Sequence, residues 1–190
     1  MLGKLQEIKI KHHFGLLDND NNGYIEIDDL MREIVTIAEL RGLEEGSSEY
    51  EQLKTNQLTW WEYMKQSADK NQDGRISLEE FKLFAGERVT AIALAAGQTV
   101  NEPLEVLKET GRLWFKIIDT DGNGEISLAE YKNILVAWGG KEEEAASCFQ
   151  KLDLDGNGVI SKDEFVQNLK EYFLSNDPEV PGNYLHGIPF

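Results

Sequence analysis

The sequence predicts an all-α protein of four helix–loop–helix units, joined in two pairs that form one compact globule. Three observations carry this prediction. A twelve-residue loop pattern occurs four times, apolar residues recur at helical spacing on both sides of each copy, and the uneven distances between copies group them two and two.

The loops read DNDNNGYIEIDD at residues 18–29, DKNQDGRISLEE at 69–80, DTDGNGEISLAE at 119–130 and DLDGNGVISKDE at 153–164. Each has an acid at position 1, Asp or Asn at 3 and 5, Gly at 6, Ile at 8 and an acid at 12. Short Asp/Asn/Gly runs are common turn formers, so one such string would carry little weight. Four, each framed by helices, resemble the EF-hand calcium loop.

Calcium is a hard cation that takes six to eight oxygens, and this spacing supplies them. Side chains at positions 1, 3 and 5, the carbonyl at 7, the group at 9 (directly or through water) and a two-oxygen carboxylate at 12 make the cage. The candidate ligands of loop one are Asp18, Asp20, Asn22, the Tyr24 carbonyl, Glu26 and Asp29. In loop two they are Asp69, Asn71, Asp73, the Arg75 carbonyl and Glu80. Loop three offers Asp119, Asp121, Asn123, the Glu125 carbonyl and Glu130; loop four offers Asp153, Asp155, Asn157, the Val159 carbonyl and Glu164. The chain reverses sharply at position 6, where glycine gives the backbone its freedom. The isoleucines at position 8 (Ile25, Ile76, Ile126 and Ile160) should form short two-stranded pairings between loops.

The flanking helices show in the apolar spacing. Before the loops stand Ile10, Phe14, Leu17; Trp61, Met64, Ala68; Trp114, Phe115, Ile118; and Ala145, Cys148, Phe149, Leu152. After them stand Leu30, Ile34, Ile37; Phe81, Phe84, Ala85; Tyr131, Ile134, Leu135, Trp138; and Phe165, Leu169, Tyr172. Each set marks one face of an amphipathic helix.

Loop starts lie 51, 50 and 34 residues apart. The tight last interval pairs loops three and four directly. The wide first interval calls for long helices or an extra stretch near Gly42–Ser48, and a second break lies near Ala96–Pro103. The expected domains are an N-terminal pair (1–96), a C-terminal pair (97–174) and a tail (175–190) that packs on the body.

Charge points the same way. Against 19 Lys and Arg stand 35 Asp and Glu, a net charge of −16. So acidic a chain repels nucleic acid and anionic lipid, which excludes both as expected partners. Four doubly charged ions would halve the net charge, so binding should couple to folding, and the metal-free protein is expected to be partly molten. Cys148 is the one cysteine, which rules out an internal disulfide and suits a reducing compartment. No run approaches the roughly eighteen apolar residues that span a bilayer, and the first residues lack a signal-peptide core. The expectation is a cytoplasmic monomer.

Loop one departs from the others. It ends in Asp29, one methylene shorter than glutamate, so a contracted six-coordinate cage is the natural outcome, and magnesium gains relative to calcium. The expected cargo is therefore up to four Ca2+, with loop one open to Mg2+.

The uneven spacing, the Asp that closes loop one and the tail EYFLSNDPEVPGNYLHGIPF together resemble the sarcoplasmic calcium-binding protein group, which includes calexcitin, calerythrin and the coelenterazine photoproteins. The resemblance covers nearly the whole chain and implies a tail that folds back over the protein. Many members carry one or two degenerate loops, whereas all four look competent here. Against the photoprotein cavity pattern Tyr63 and Tyr184 match. Leu169 stands where a His is expected, Phe173 and Ser67 where Trp residues are expected, and Ile10 where the first-helix His is expected. Light emission is therefore not implied.

The function that follows is calcium buffering or transport. A sensor would expose a methionine-rich groove, and this chain has only Met1, Met31 and Met64. Two alternatives remain. Tyr184, Leu185, Ile188 and Phe190 of the tail could be a calcium-released latch, which would make the protein a sensor for a protein target. Alternatively, its apolar interior could carry a small molecule, as luciferin-binding proteins do. No phosphate-binding loop or activated nucleophile argues for an enzyme. Cys148 and His13 fall on core-facing helix positions; His12 and His186 are expected at the surface.

Overall fold

The computed structural model describes residues 2–96 and 101–187. Eight helices appear in this span: α1 Lys4–Leu17, α2 Ile27–Leu40, α3 Ser48–Ala68, α4 Leu78–Leu94, α5 Glu102–Ile118, α6 Leu128–Ala137, α7 Ala145–Leu152 and α8 Lys162–Leu174. Four two-residue strands sit in the loops: β1 Tyr24–Ile25, β2 Ile76–Ser77, β3 Glu125–Ile126 and β4 Ile160–Ser161. They pair antiparallel, β1 with β2 and β3 with β4, with Ile25 opposite Ile76 and Ile126 opposite Ile160. The all-α architecture of four helix–loop–helix units in two pairs is as the sequence predicts.

The helix faces are also as predicted. Ile10, Phe14 and Leu17 are buried, as are Leu30, Ile34 and Ile37, and Tyr131, Ile134, Leu135 and Trp138. Trp114 and Phe84 are half-buried. The wide first interval has two causes: α3 runs for 21 residues, and a turn at 41–47 precedes it. Gly42 and Gly46 take the left-handed backbone of that turn, and Ser47 caps α3 by accepting from the Tyr50 N–H at 3.2 Å. The tight last interval follows from α7, which is only 8 residues long. Residues 97–100 of the second expected break lie outside the described residues. Beyond them Asn101 caps α5, accepting from Leu104 N–H at 3.1 Å and donating to the Ile92 carbonyl at 2.9 Å.

The chain divides into two units, one of Lys11–Phe84 and one of Met1–Ile10 with Ala85–Phe190. The first holds loops one and two. His13 is buried there, stacked at 5.8 Å on Phe81, and burial pulls its pKa down to about 3, with the charge of His12 adding to the effect. The second unit holds loops three and four, the start of α1 and the tail. Its described tail residues pack on α7, α8 and α1. Gly182 lies so close to α8 that a Cβ would overlap the Asn168 carbonyl. Ile188 and Phe190 lie outside the described residues.

A buried lysine ties the start of α1 to that tail. Lys9 is 1% exposed, and its Nζ donates to the carbonyls of Glu171 (3.2 Å) and Ser175 (2.8 Å) and to Asn183 Oδ1 (3.1 Å). Three acceptors match the three donors of an ammonium. Burial draws its pKa down to about 8, opposed by the charge of Glu171. The Tyr172 hydroxyl donates to the Lys9 carbonyl at 2.8 Å, and the Gln6 amide donates to the carbonyls of Phe173 and Leu174, both at 3.1 Å. His186, expected at the surface, is instead 2% exposed, with its ring 4.7 Å from Tyr172, 5.0 Å from Trp138 and 6.1 Å from Trp114. No described helix is long and apolar enough to cross a membrane.

Candidate metal centres

Each loop is shaped by its own carboxylates and amides before any ion is considered. The position-1 carboxylate accepts from the position-6 glycine: Gly23 N–H to Asp18 at 2.9 Å, Gly74 to Asp69 at 3.0 Å, Gly124 to Asp119 at 3.0 Å and Gly158 to Asp153 at 2.8 Å. These glycines have φ between 87° and 89°, a region in which a Cβ is strained. Side-chain oxygens at position 3 accept from the amide of position 5, and those at position 5 from the amide of position 7. The turn thereby aims oxygen atoms inward.

The acid at position 12 closes the loop from the other side. Glu130 Oε1 accepts from the amides of Thr120 (2.8 Å) and Asp121 (3.4 Å), while Oε2 accepts from the Ser127 amide and hydroxyl, both at 2.8 Å. Glu80 and Glu164 are held in the same manner by Ser77 and Ser161. Burial works against ionisation of these three glutamates, but the hydrogen bonds outweigh it and hold each pKa below the usual carboxylate value. Asp29 differs. Burial raises its pKa, and the hydrogen bonds from Glu26 and Asp20 N–H do not offset that rise, to which the charges of Asp20 and Asp18 add.

Three carboxylate triads gather among the described residues: Asp18, Asp20 and Asp29; Asp119, Asp121 and Glu130; and Asp153, Asp155 and Glu164. Within each, one oxygen per residue lies within 4.8 Å of the others. Asp119 Oδ1 is buried with no hydrogen-bond partner among the described residues. A buried oxygen of that kind is costly unless a cation meets it, so the donor set of loop three fits a hard divalent ion. Loop two forms no such triad. Asn71 fills its third position, and Asp73 Oδ2 is turned to Arg75 Nε (3.4 Å) and Asn71 Nδ2 (3.2 Å).

The first two loops carry cations of their own. Arg75, at position 7 of loop two, pairs with Asp73 and lies 4.0 Å over the Tyr24 ring across the β1–β2 pairing. Arg32 of α2 lies 3.1 Å from both Asp20 and Asp29. Among the described residues no lysine or arginine is paired with a carboxylate of loops three or four.

Of the residues proposed from sequence, the carboxylates at positions 1, 3 and 12 therefore come together in loops one, three and four, and those of loop two do not gather in this way. Glu26 Oε2 accepts from Asn22 Nδ2 at 3.0 Å, at the rim of loop one. Sequence reasoning left out Ser77, Ser127 and Ser161, although a serine three places before a glutamate is a legible capping box, which also starts the exiting helix in loops three and four. It also left out Arg32. Cys148 is buried, and burial pushes its thiol pKa up, which suits a packing role. Tyr63, one of two matches to the photoprotein cavity, is 44% exposed.

A family model for an EF-hand domain pair matches residues 7–86, and one for the EF hand matches residues 112–136 and 145–170. The chain is an EF-hand protein. It is 29% identical to calerythrin of Saccharopolyspora erythraea over 92% of this chain and 96% of that one. Its fold is shared with a sarcoplasmic calcium-binding protein from amphioxus (TM-score 0.75, 19% identity, 98% of each chain covered). It is shared also with the coelenterazine-binding protein of Renilla muelleri (TM-score 0.68, 23% identity, 98% of this chain and 99% of that one). Within the EF-hand proteins it groups with those resembling the sarcoplasmic calcium-binding proteins.

Proposed function

We propose that this EF-hand protein is a calcium buffer or transporter that takes up to four ions, with loop one also open to magnesium. The ion is cargo, held by the side chains at positions 1, 3, 5 and 12 and the carbonyls of Tyr24, Arg75, Glu125 and Val159. The observation that carries the buffer reading is the seated tail. Leu185 and His186 are buried, the Tyr131 hydroxyl donates to the Tyr184 carbonyl at 2.9 Å, and Lys9 fastens the segment from below. A tail held by buried and part-buried hydrogen bonds opposes the opening that a sensor needs.

One titration separates the readings. Calorimetry with an apolar dye present should give up to four calcium ions bound with little gain in dye fluorescence, and magnesium should compete at one site. A large dye gain on adding calcium would favour the sensor that releases its tail. The aromatic group of Trp114, Trp138, Tyr172 and His186 favours a second reading, a carrier of an apolar small molecule, and the Renilla protein named for coelenterazine has the same fold. Quenching of tryptophan fluorescence by coelenterazine, followed with and without calcium, tests that reading.

A further inference from the structure

We infer that Arg32 is a resident cation of loop one, which an arriving ion must displace, and that it makes this loop the weakest of the four. The inference rests on loop one being an ion site, as proposed above. Arg32 Nη1 stands 3.1 Å from Asp20 Oδ2 and 3.1 Å from Asp29 Oδ1, so a single guanidinium nitrogen joins positions 3 and 12 of the loop. Those are two of the three carboxylates that make up the loop-one triad. Asp29 is 2% exposed, so this ion pair lies where solvent screens it little at one end.

The placement follows from helix geometry. Arg32 is three residues beyond position 12 on α2, and residues three apart share a helix face. The same place after the other loops is held by Leu83, Asn133 and Gln167, none of them charged. Loop one carries four acids at ligand positions where the others carry three, and Arg32 brings its balance back to that of loops three and four. The extra carboxylate therefore gives loop one no added pull on a cation while the guanidinium stays. A divalent ion drawn to Asp20 and Asp29 competes for the oxygens that Arg32 holds. The Arg32 side chain is 45% exposed, so its release into water is cheap enough for the loop to remain usable.

The test is a calcium titration of the full chain in which the amide resonance of each position-6 glycine reports its own loop. In Arg32→Gln, Gly23 should titrate about three- to tenfold tighter than in the unaltered protein, with Gly124 and Gly158 unmoved. The reciprocal change, Asn133→Arg at an exposed position of α6, should loosen the Gly124 response by a similar factor. Equal or weaker binding at Gly23 in Arg32→Gln would overturn the inference alone, because Arg32 would then support the ligands. A Gly23 resonance silent in both proteins while Gly124 responds would overturn loop one as an ion site as well.

Discussion

The two loop pairs follow one sequence pattern and yet meet a cation differently. In the N-terminal pair, Arg32 and Arg75 already engage Asp20, Asp29 and Asp73. In the C-terminal pair the triad carboxylates gather within each loop with no such partner among the described residues, and Asp119 Oδ1 is buried without a hydrogen bond. The backbone differs in the same sense. Position 4 is left-handed in every loop, and glycine fills it at Gly122 and Gly156 (φ 71° and 72°), whereas Asn21 and Gln72 fill it in the first pair (φ 57° and 61°). A side chain there costs energy that glycine avoids, more for Gln than for Asn. The lesson is that ligand count does not rank these loops. Loop one has the most acids and the most internal neutralisation.

The largest expected effect is removal of metal. Each filled site adds roughly 2.7 kcal/mol when free ion is a hundredfold above its dissociation constant. Chelator should therefore lower the melting temperature steeply and leave the protein partly molten, with near-ultraviolet circular dichroism lost before far-ultraviolet. An unchanged melting temperature would break the comparison at its root. Next in size is Glu130→Gln, which keeps the acceptor for Thr120 but removes the charge at position 12. Calcium affinity of loop three should fall roughly a hundredfold, and the C-terminal pair should lose its lead. Calorimetry reads this as the loss of one tight site.

Lys9→Met sharpens the contrast from the side of the tail. Three hydrogen bonds at 2.8–3.2 Å disappear, and on the order of 2 kcal/mol of stability should go with them from the unit that holds loops three and four. Denaturant melts followed by Trp fluorescence measure it, while Gly23 and Gly74 should titrate as before. The smallest effect belongs to Arg75→Gln. Freeing Asp73 should tighten loop two about two- to fivefold, read at the Gly74 amide, because the pair is half-exposed and screened by water.

Most of the fold was legible because its causes are local. Apolar spacing around each loop marked the buried faces, and Ile at position 8 marked the strand pairings that Ile25–Ile76 and Ile126–Ile160 make. The carboxylate triads of loops one, three and four were legible for the same reason, since twelve consecutive residues build each loop. The Lys9 clasp was not, because its acceptors lie more than 160 residues away and a lysine on an amphipathic helix is normally solvated. His186 was misjudged on the same ground. A polar residue in a tail looks exposed until Trp114, Trp138 and Tyr172 are known to surround it. Arg32 stood within reach of sequence, being one helical step past the ligand at position 12, but a charge on a helix surface has many places to point.

The measurement that tests the account most directly is a calcium titration of the unaltered, metal-stripped chain, followed at the amides of Gly23, Gly74, Gly124 and Gly158. Each donates to the first carboxylate of its loop and should shift when that carboxylate binds an ion. Gly124 and Gly158 should shift at the lowest calcium, then Gly74, with Gly23 last. If Gly23 and Gly74 shift first, or all four move together, the resident arginines do not set the order of filling and the account is contradicted.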